Sequence, residues 1–256
     1  MSAGPECVGM IAGRTTVAQD AGLDPVDRAI GIADEADDLS ALDRIGLLVA
    51  ARRGQVIFQA GDLSRHIFRV MSGLVRTSRR FADGRRQVVN FYLPNDFLGL
   101  GAPVVHHYSA EAIADTMLMA YARRSLEAFL VEQPHIGDAL FRLLSRRLND
   151  AQQRAVDLGR KTAAERIVSF LLGMAERKGA TGYLELPMTR RDIADHLCLT
   201  VETVSRILAR LQAERLIACL DARAIRLVDR AAMAARAEGR GALRHIARCP
   251  EAGADA

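Results

Sequence analysis

The sequence predicts an α+β chain in three parts: a small antiparallel β-barrel or sandwich, a long helix, and a compact helical unit ending in a β-hairpin. Three observations lead there. Between residues 53 and 121 short apolar segments alternate with turn signals, the pattern of an antiparallel all-β domain. From about residue 135 apolar residues recur at alternating three- and four-residue steps, the seam of a long helix. Beyond residue 184 two short helical patterns meet at a tight turn and are followed by two short apolar strands.

The elements follow in order. Residues 1–38 are rich in Ala, Gly and Asp with little periodicity, and are expected to be a flexible segment. LSALDRIGLLVA, residues 39–50, reads as a short helix leading into the barrel. Val56–Phe58, Ile67–Met71, Leu74–Phe81 and Gln87–Leu93 are strand candidates, with another over roughly 109–121. They are punctuated by Ala60-Gly61-Asp62, Ser72-Gly73, Asp83-Gly84 and Pro94-Asn95-Asp96. Asp83-Gly84 is a strong tight-hairpin signal. The barrel domain is placed at 39–124, with Ser125 as the cap of the next helix.

The connecting helices are placed at 125–160, interrupted at Pro134 and ended or bent at Gly159. Phe141, Leu144, Leu148, Ala151, Ala155 and Leu158 form a coiled-coil-like seam. Leu140 and Leu143 widen the apolar face, so one side is expected to pack on the barrel and the other on a second copy of the chain. An ordinary amphipathic core helix is the alternative. Arg142, Arg146, Arg147 and Arg154 leave only this stripe apolar, which favours the dimer seam.

The remainder, 161–235, is expected to be a winged helix-turn-helix, with 236–256 a tail. In MTRRDIADHLCLTVETVSRIL, Thr189 and Asp192 have the spacing of a capping box. Ile193 and Leu197 face the core, Ala194 is small where two helices cross, and Leu199 plugs the turn. Thr200 caps the second helix, whose buried face is Val204, Ile207, Leu208 and Leu211. Val201, Glu202, Thr203, Ser205, Arg206 and Arg210 are left outward, with Arg190 and Arg191 near the start of the first helix. The first residues of such a second helix enter the major groove. There arginine matches guanine O6 and N7, glutamate accepts from cytosine N4, and serine reaches a base or a phosphate. The competing account of Glu202 and Arg206 is an exposed i,i+4 salt bridge. The hairpin around Asp221-Ala222-Arg223 reads as a wing whose Arg223 and Arg226 can touch phosphates.

Other chemistry is thinly represented. The net charge is +4 with acids and bases interspersed; this permits a nucleic-acid partner without requiring one. No phosphate loop or nucleophile–base–acid set is visible, so no catalytic site is expected. The four cysteines, Cys7, Cys198, Cys219 and Cys249, form no CxxC and support neither a disulfide framework nor a metal site. His106-His107 reads as an exposed loop pair rather than a ligand set. With no membrane span and no signal peptide, the expected location is the cytoplasm. Cys198 has two readings: a small half-buried residue filling the turn, or a redox switch. Near a helix N-terminus and beside Arg190 and Arg191 it lies in the electropositive kind of setting that activates thiols, and its oxidation would add bulk and negative charge beside phosphates.

These motifs together resemble the Crp/Fnr superfamily of bacterial transcription regulators over roughly residues 42–235. GQVIFQAGD, IFRVMSGLVR and DGRRQVVNFYLPNDFLGL resemble that family's cupin-like sensor barrel, and residues 136–158 its dimerisation helix. The most specific match is TRRDIADHLCLTVETVSR. By resemblance to the Fnr and FixK branches, E-x-x-S-R implies reading of TTGA half-sites in an inverted repeat: Arg206 with guanine, Glu202 with bases including cytosine, Ser205 on the thymine side. Oxygen-sensing members hold an iron–sulfur cluster on clustered N-terminal cysteines, and here only Cys7 precedes the helix-turn-helix. Leu100 and Tyr108 stand near the glutamate and arginine with which cyclic-AMP receptors bind ribose and phosphate. An apolar residue cannot bond ribose hydroxyls, and tyrosine cannot neutralise a phosphate. YSAEAIADT and ARRSLE resemble the FixK type. That implies no cofactor, a homodimer on double-stranded DNA, RNA polymerase as partner, and activation of microaerobic respiration or nitrogen-fixation-type genes. The alternative is an effector-gated regulator holding a small molecule or haem in the barrel.

Overall fold

The computed structural model describes residues 39–102, 104–221 and 223–239. The expectations for residues 1–38 and for most of the tail lie outside the described residues.

A 3-10 helix, Ala41–Ile45, opens the described chain, and eight strands follow: β1 (Gly46–Ala51), β2 (Val56–Phe58), β3 (His66–Ser72), β4 (Val75–Arg80), β5 (Arg86–Tyr92), β6 (Phe97–Leu98), β7 (Ser109–Ala112) and β8 (Thr116–Ala122). They form two four-stranded antiparallel sheets, ordered β1-β8-β3-β6 and β2-β7-β4-β5. Val70, Val75, Leu98, Ala110, Ala112 and Leu118 pack together as a buried core. The β4–β5 hairpin turns at Asp83-Gly84, where Asp83 accepts from the Arg85 backbone N–H at 3.0 Å. At the β3–β4 turn, Gly73 has φ +88°, and a Cβ there would stand 2.4 Å from the Asp115 carbonyl oxygen. Only glycine fits both that backbone and that approach.

Five helices and a small sheet complete the α+β architecture: α1 (Arg123–Glu132), α2 (Pro134–Arg160), α3 (Ala163–Arg177), β9 (Tyr183–Glu185), α4 (Arg190–Leu197), α5 (Val201–Ala213), β10 (Ile217–Cys219) and β11 (Ala224–Leu227). A sixth helix, α6 (Arg230–Ala237), follows the β10–β11 wing. Pro134 opens α2 from its first turn, where proline loses no intrahelical bond.

Four expectations are corrected. Residues 39–50 are not one helix: the 3-10 turn gives way to β1, which pairs with β8 from Gly46↔Tyr121 to Ala51↔Thr116. The strand expected over 109–121 is two, β7 and β8. Thr116 Oγ1 holds the bend between them by donating to the Ala114 carbonyl at 2.8 Å. Ser125 is not a cap, since α1 begins at Arg123 behind Ala122. Gly159 does not end α2, which continues to Arg160.

One face of α2 packs Ile136, Ala139 and Leu140 into the barrel-side core, with Leu143 partly buried against it. The opposite stripe is open: Phe141 is 71% exposed, Leu144 41% and Leu148 59%. Ala151 and Ala155 are exposed as well, whereas Leu158 lines a cleft of about 660 Å³ between α2 and α3. Asp96 fastens both helices to the barrel. Arg147 of α2 and Arg177 of α3 each pair with its buried carboxylate, and Arg177 also donates to the Phe91 carbonyl at 3.0 Å.

Candidate DNA-reading interface

α4 and α5 are held by local chemistry that the sequence states directly. Thr189 accepts from the Asp192 backbone N–H at 3.1 Å, and Asp192 accepts from the Thr189 backbone N–H at 3.0 Å, a closed capping box. Thr200 accepts from the Thr203 backbone N–H at 3.2 Å and starts α5. Between them Cys198 stands at φ 55°, ψ 48°, the left-handed region that glycine enters most easily. The Leu199 N–H then donates back to the Ala194 carbonyl at 3.0 Å, closing the turn. Ile193, Ala194, Leu197, Val204, Leu208 and Leu211 are buried in one core, with Leu199 and Ile207 partly buried against it.

What α5 leaves outward is polar; Val201, expected outward, is instead partly buried against that core, as an apolar side chain beside it would be. Glu202, Ser205 and Arg206 are exposed, as are Thr200 and Arg210, while Thr203 is half-buried. Among the described residues Arg206 makes no hydrogen bond or ion pair, so it is not tied up with Glu202. Hydrogen bonds from the Glu202 backbone N–H and the Thr200 hydroxyl, with the Arg191 guanidinium nearby, hold the Glu202 carboxyl below its ordinary value. At neutral pH it is therefore an acceptor only.

The remaining residues divide. Arg210 spends its Nε on Glu214 at 2.7 Å, and Glu214 also pairs with Arg236 of α6. Arg191 is exposed. Arg190 is half-buried, with its Nη1 buried and without a hydrogen-bond partner. Arg223 and Arg226 are exposed on the wing.

Cys198 is exposed rather than half-buried, and its Sγ lies 3.4 Å from the Gln87 Oε1 of β5. That contact crosses from the turn to the barrel. Other contacts cross the same way. Arg86 of β5 binds Asp192 and Asp195 of α4, and Arg76 of β4 binds Asp192. Burial raises the affinity of the Asp192 carboxyl for its proton. The Thr189 hydrogen bonds and the Arg76 and Arg86 charges outweigh it and hold the group below its ordinary value. No spacing rule reveals such pairs, because their members lie more than 100 residues apart.

In the barrel, Leu100 is partly buried beside the α2-facing core and Tyr108 is 39% exposed. His106 is a correction: it is buried, with its ring stacked on Phe58 at 3.6 Å between centroids, while His107 is exposed.

Comparison with known proteins agrees with this arrangement. Residues 165–236 match the family described as the Crp-like helix-turn-helix domain, and residues 48–133 match the cyclic nucleotide-binding domain. The nitrogen fixation regulation protein FixK of Rhizobium meliloti is 41% identical over 179 residues, covering 70% of this chain and 82% of that one. FixK of Bradyrhizobium diazoefficiens is 37% identical over 190 residues, covering 73% and 80%. The structure of FixK2 from Bradyrhizobium japonicum superposes with a TM-score of 0.71 at 36% identity, covering 74% of this chain and 96% of that chain. No helix among the described residues is long and apolar enough to cross a membrane. With a sensor-type β domain, a long helix and a helix-turn-helix whose polar face is open, the chain belongs to the Crp/Fnr family of DNA-binding transcription regulators and is related to the FixK and Fnr activators.

Proposed function

We propose that the chain is a homodimeric activator that reads a TTGA-N6-TCAA-like inverted repeat, controls genes of the microaerobic-respiration or nitrogen-fixation type, and loses DNA binding when Cys198 is oxidised. The observation that carries the base-reading part is the free Arg206 guanidinium beside the ionised Glu202 on the exposed face of α5. Two donors in a rigid fork match guanine O6 and N7, and a carboxylate matches the cytosine amino group. Thr200, Thr203, Arg190, Arg191 and Arg210 are assigned to phosphates and to holding the helix, which positions it without specifying sequence.

The two-fold reading rests on the open stripe of α2. Phe141, Leu144 and Leu148 are large, exposed and on one face, and a second copy presenting the same stripe would cover them. Two recognition helices would then meet half-sites about one DNA turn apart. RNA polymerase is the partner that activation demands. The redox part rests on the exposure of Cys198 at the turn that aims α5. Hydrogen peroxide would oxidise its thiol to a sulfenic acid and be reduced to water, and further oxidation would place a negative charge beside phosphates.

The direct test is Arg206→Ala, measured by fluorescence anisotropy on DNA carrying the repeat and on a scrambled duplex. The expected loss on the repeat is about 1–3 kcal/mol per half-site, with weak, salt-sensitive binding retained. Unchanged discrimination between the two duplexes would refute the assignment of Arg206 to a base.

A further inference from the structure

β5 is an edge strand, the last in the order β2-β7-β4-β5. Unpaired strand edges are normally covered or blunted. Here α4 covers this one, and three consecutive residues of β5 hold it. Arg86 Nη2 lies 2.7 Å from Asp192 Oδ1 and 2.6 Å from Asp195 Oδ2. Gln87 Nε2 donates to the His196 carbonyl at 3.4 Å. The Val88 carbonyl lies 3.2 Å from His196 Nδ1, and since a carbonyl only accepts, Nδ1 carries the proton. One strand further in, Arg76 bridges Asp192 at 2.5 Å and Glu111 of β7 at 2.8 Å. The Asp192 side chain is 3% exposed and is the same carboxylate that closes the capping box of α4. One buried group thus joins the start of α4 to two strands of the barrel. α4 in turn sets the direction of α5, because Ala194, Leu197 and Val204 share a core.

We infer that Arg86, aided by Arg76, is a positioning residue for DNA reading: it fixes α4, and through it α5, relative to the barrel and α2, so that two copies meet two half-sites at one spacing. This rests on the two-fold reading above. The ion-pair partners of Arg86 are Asp192 and Asp195 of α4, not residues of α5, so its role is to position rather than to read. Asp96 holds α2 and α3 to the barrel independently through Arg147 and Arg177, and Arg76, Gln87 and Val88 still touch α4, so replacing Arg86 loosens α4 without detaching the domain. A pair of linked half-site contacts gains from effective concentration only if the geometry lets both engage at once. Loosening α4 leaves each contact intact and weakens their joint engagement.

The experiment compares wild type, Arg86→Gln and Asp195→Asn on three duplexes: the inverted repeat selected by the wild type, the same duplex with one half-site scrambled, and the repeat with its spacer changed by one base pair. Asp195 is not a cap, so its variant keeps the fold of α4 and backs up the first. For both variants the expected result is a fall of about tenfold on the full repeat, no more than about a twofold change on the single half-site, and weaker discrimination against the altered spacer. Equal losses on full and half sites would mean that the pairs merely support the fold, and the inference would be overturned. Full-site affinity that is unchanged or increased would overturn it too, because α4 would then not need this seat to read DNA. If the wild type shows no preference for two half-sites over one, it is the two-fold reading that fails.

Discussion

Acidification to about pH 5 should weaken the fold in large part through the imidazole of His196; His106, whose pKa burial and the Arg123 charge also lower, acts in the same direction in wild type and in a His196 variant alike. His196 sits where α4 meets β5, with its ring centroid 5.1 Å from that of Phe91, edge-on, and 5.6 Å from that of Phe170. Burial, with the charges of Arg154 and Arg177, lowers its pKa to about 4 from the ordinary 6.5, against the opposing pull of the Val88 carbonyl. Between those values the unfolded chain binds a proton that the folded chain refuses, so stability falls as pH drops through the interval. The two values give a loss of about 2 kcal/mol at about pH 5, approaching about 3 kcal/mol near the folded pKa. Asp192 does not confuse the reading, because its depressed pKa lies below the ordinary 3.8 and its stabilisation is lost only in stronger acid. The assay is urea unfolding at fixed protein concentration, near pH 7 and near pH 5, for wild type and His196→Gln. Glutamine keeps a donor for Val88 and does not titrate. The wild type should lose about 2 kcal/mol more than the variant across that interval. Equal losses would refute the claim that this ring is held neutral.

Two further predictions concern the seam and the turn. Leu148→Glu sets two carboxylates against each other across the proposed two-fold seam; sedimentation should show monomers where the wild type gives dimers, and a wild type that is itself monomeric would remove the seam. Cys198→Gly relieves a left-handed residue, so thermal unfolding should show up to about 1 kcal/mol of added stability. The same variant should bind DNA after peroxide treatment as it does before, and equal loss in variant and wild type would assign the peroxide effect elsewhere.

The legible parts of this molecule are those with local causes. Thr189 and Asp192, or Thr200 and its helix, announce themselves three residues apart because a cap acts on the next turn. Asp83-Gly84 announces a hairpin because the turn alone demands those residues. The strand at Gly46–Ala51 is hidden: GLLVAA lacks alternation, and it is a strand only because β8, about 70 residues on, pairs with it from Gly46↔Tyr121 to Ala51↔Thr116 in register. His106 is hidden for a similar reason, since its cover is Phe58 at the end of β2, distant in sequence. At the candidate interface the outward face of α5 followed from helical period. Its seat against the barrel did not, because Arg76 and Arg86 meet Asp192 and Asp195 only after the chain has folded around α2 and α3.

The central claim is that this chain, without an added ligand, reads an inverted repeat through Glu202, Ser205 and Arg206. A binding-site selection from random duplexes on purified, reduced protein with no effector tests it most directly. The expected product is a two-fold sequence with TTGA-like half-sites, enriched in the absence of any small molecule. Enrichment of an asymmetric or unrelated sequence, or enrichment only after a ligand is supplied, would contradict the claim.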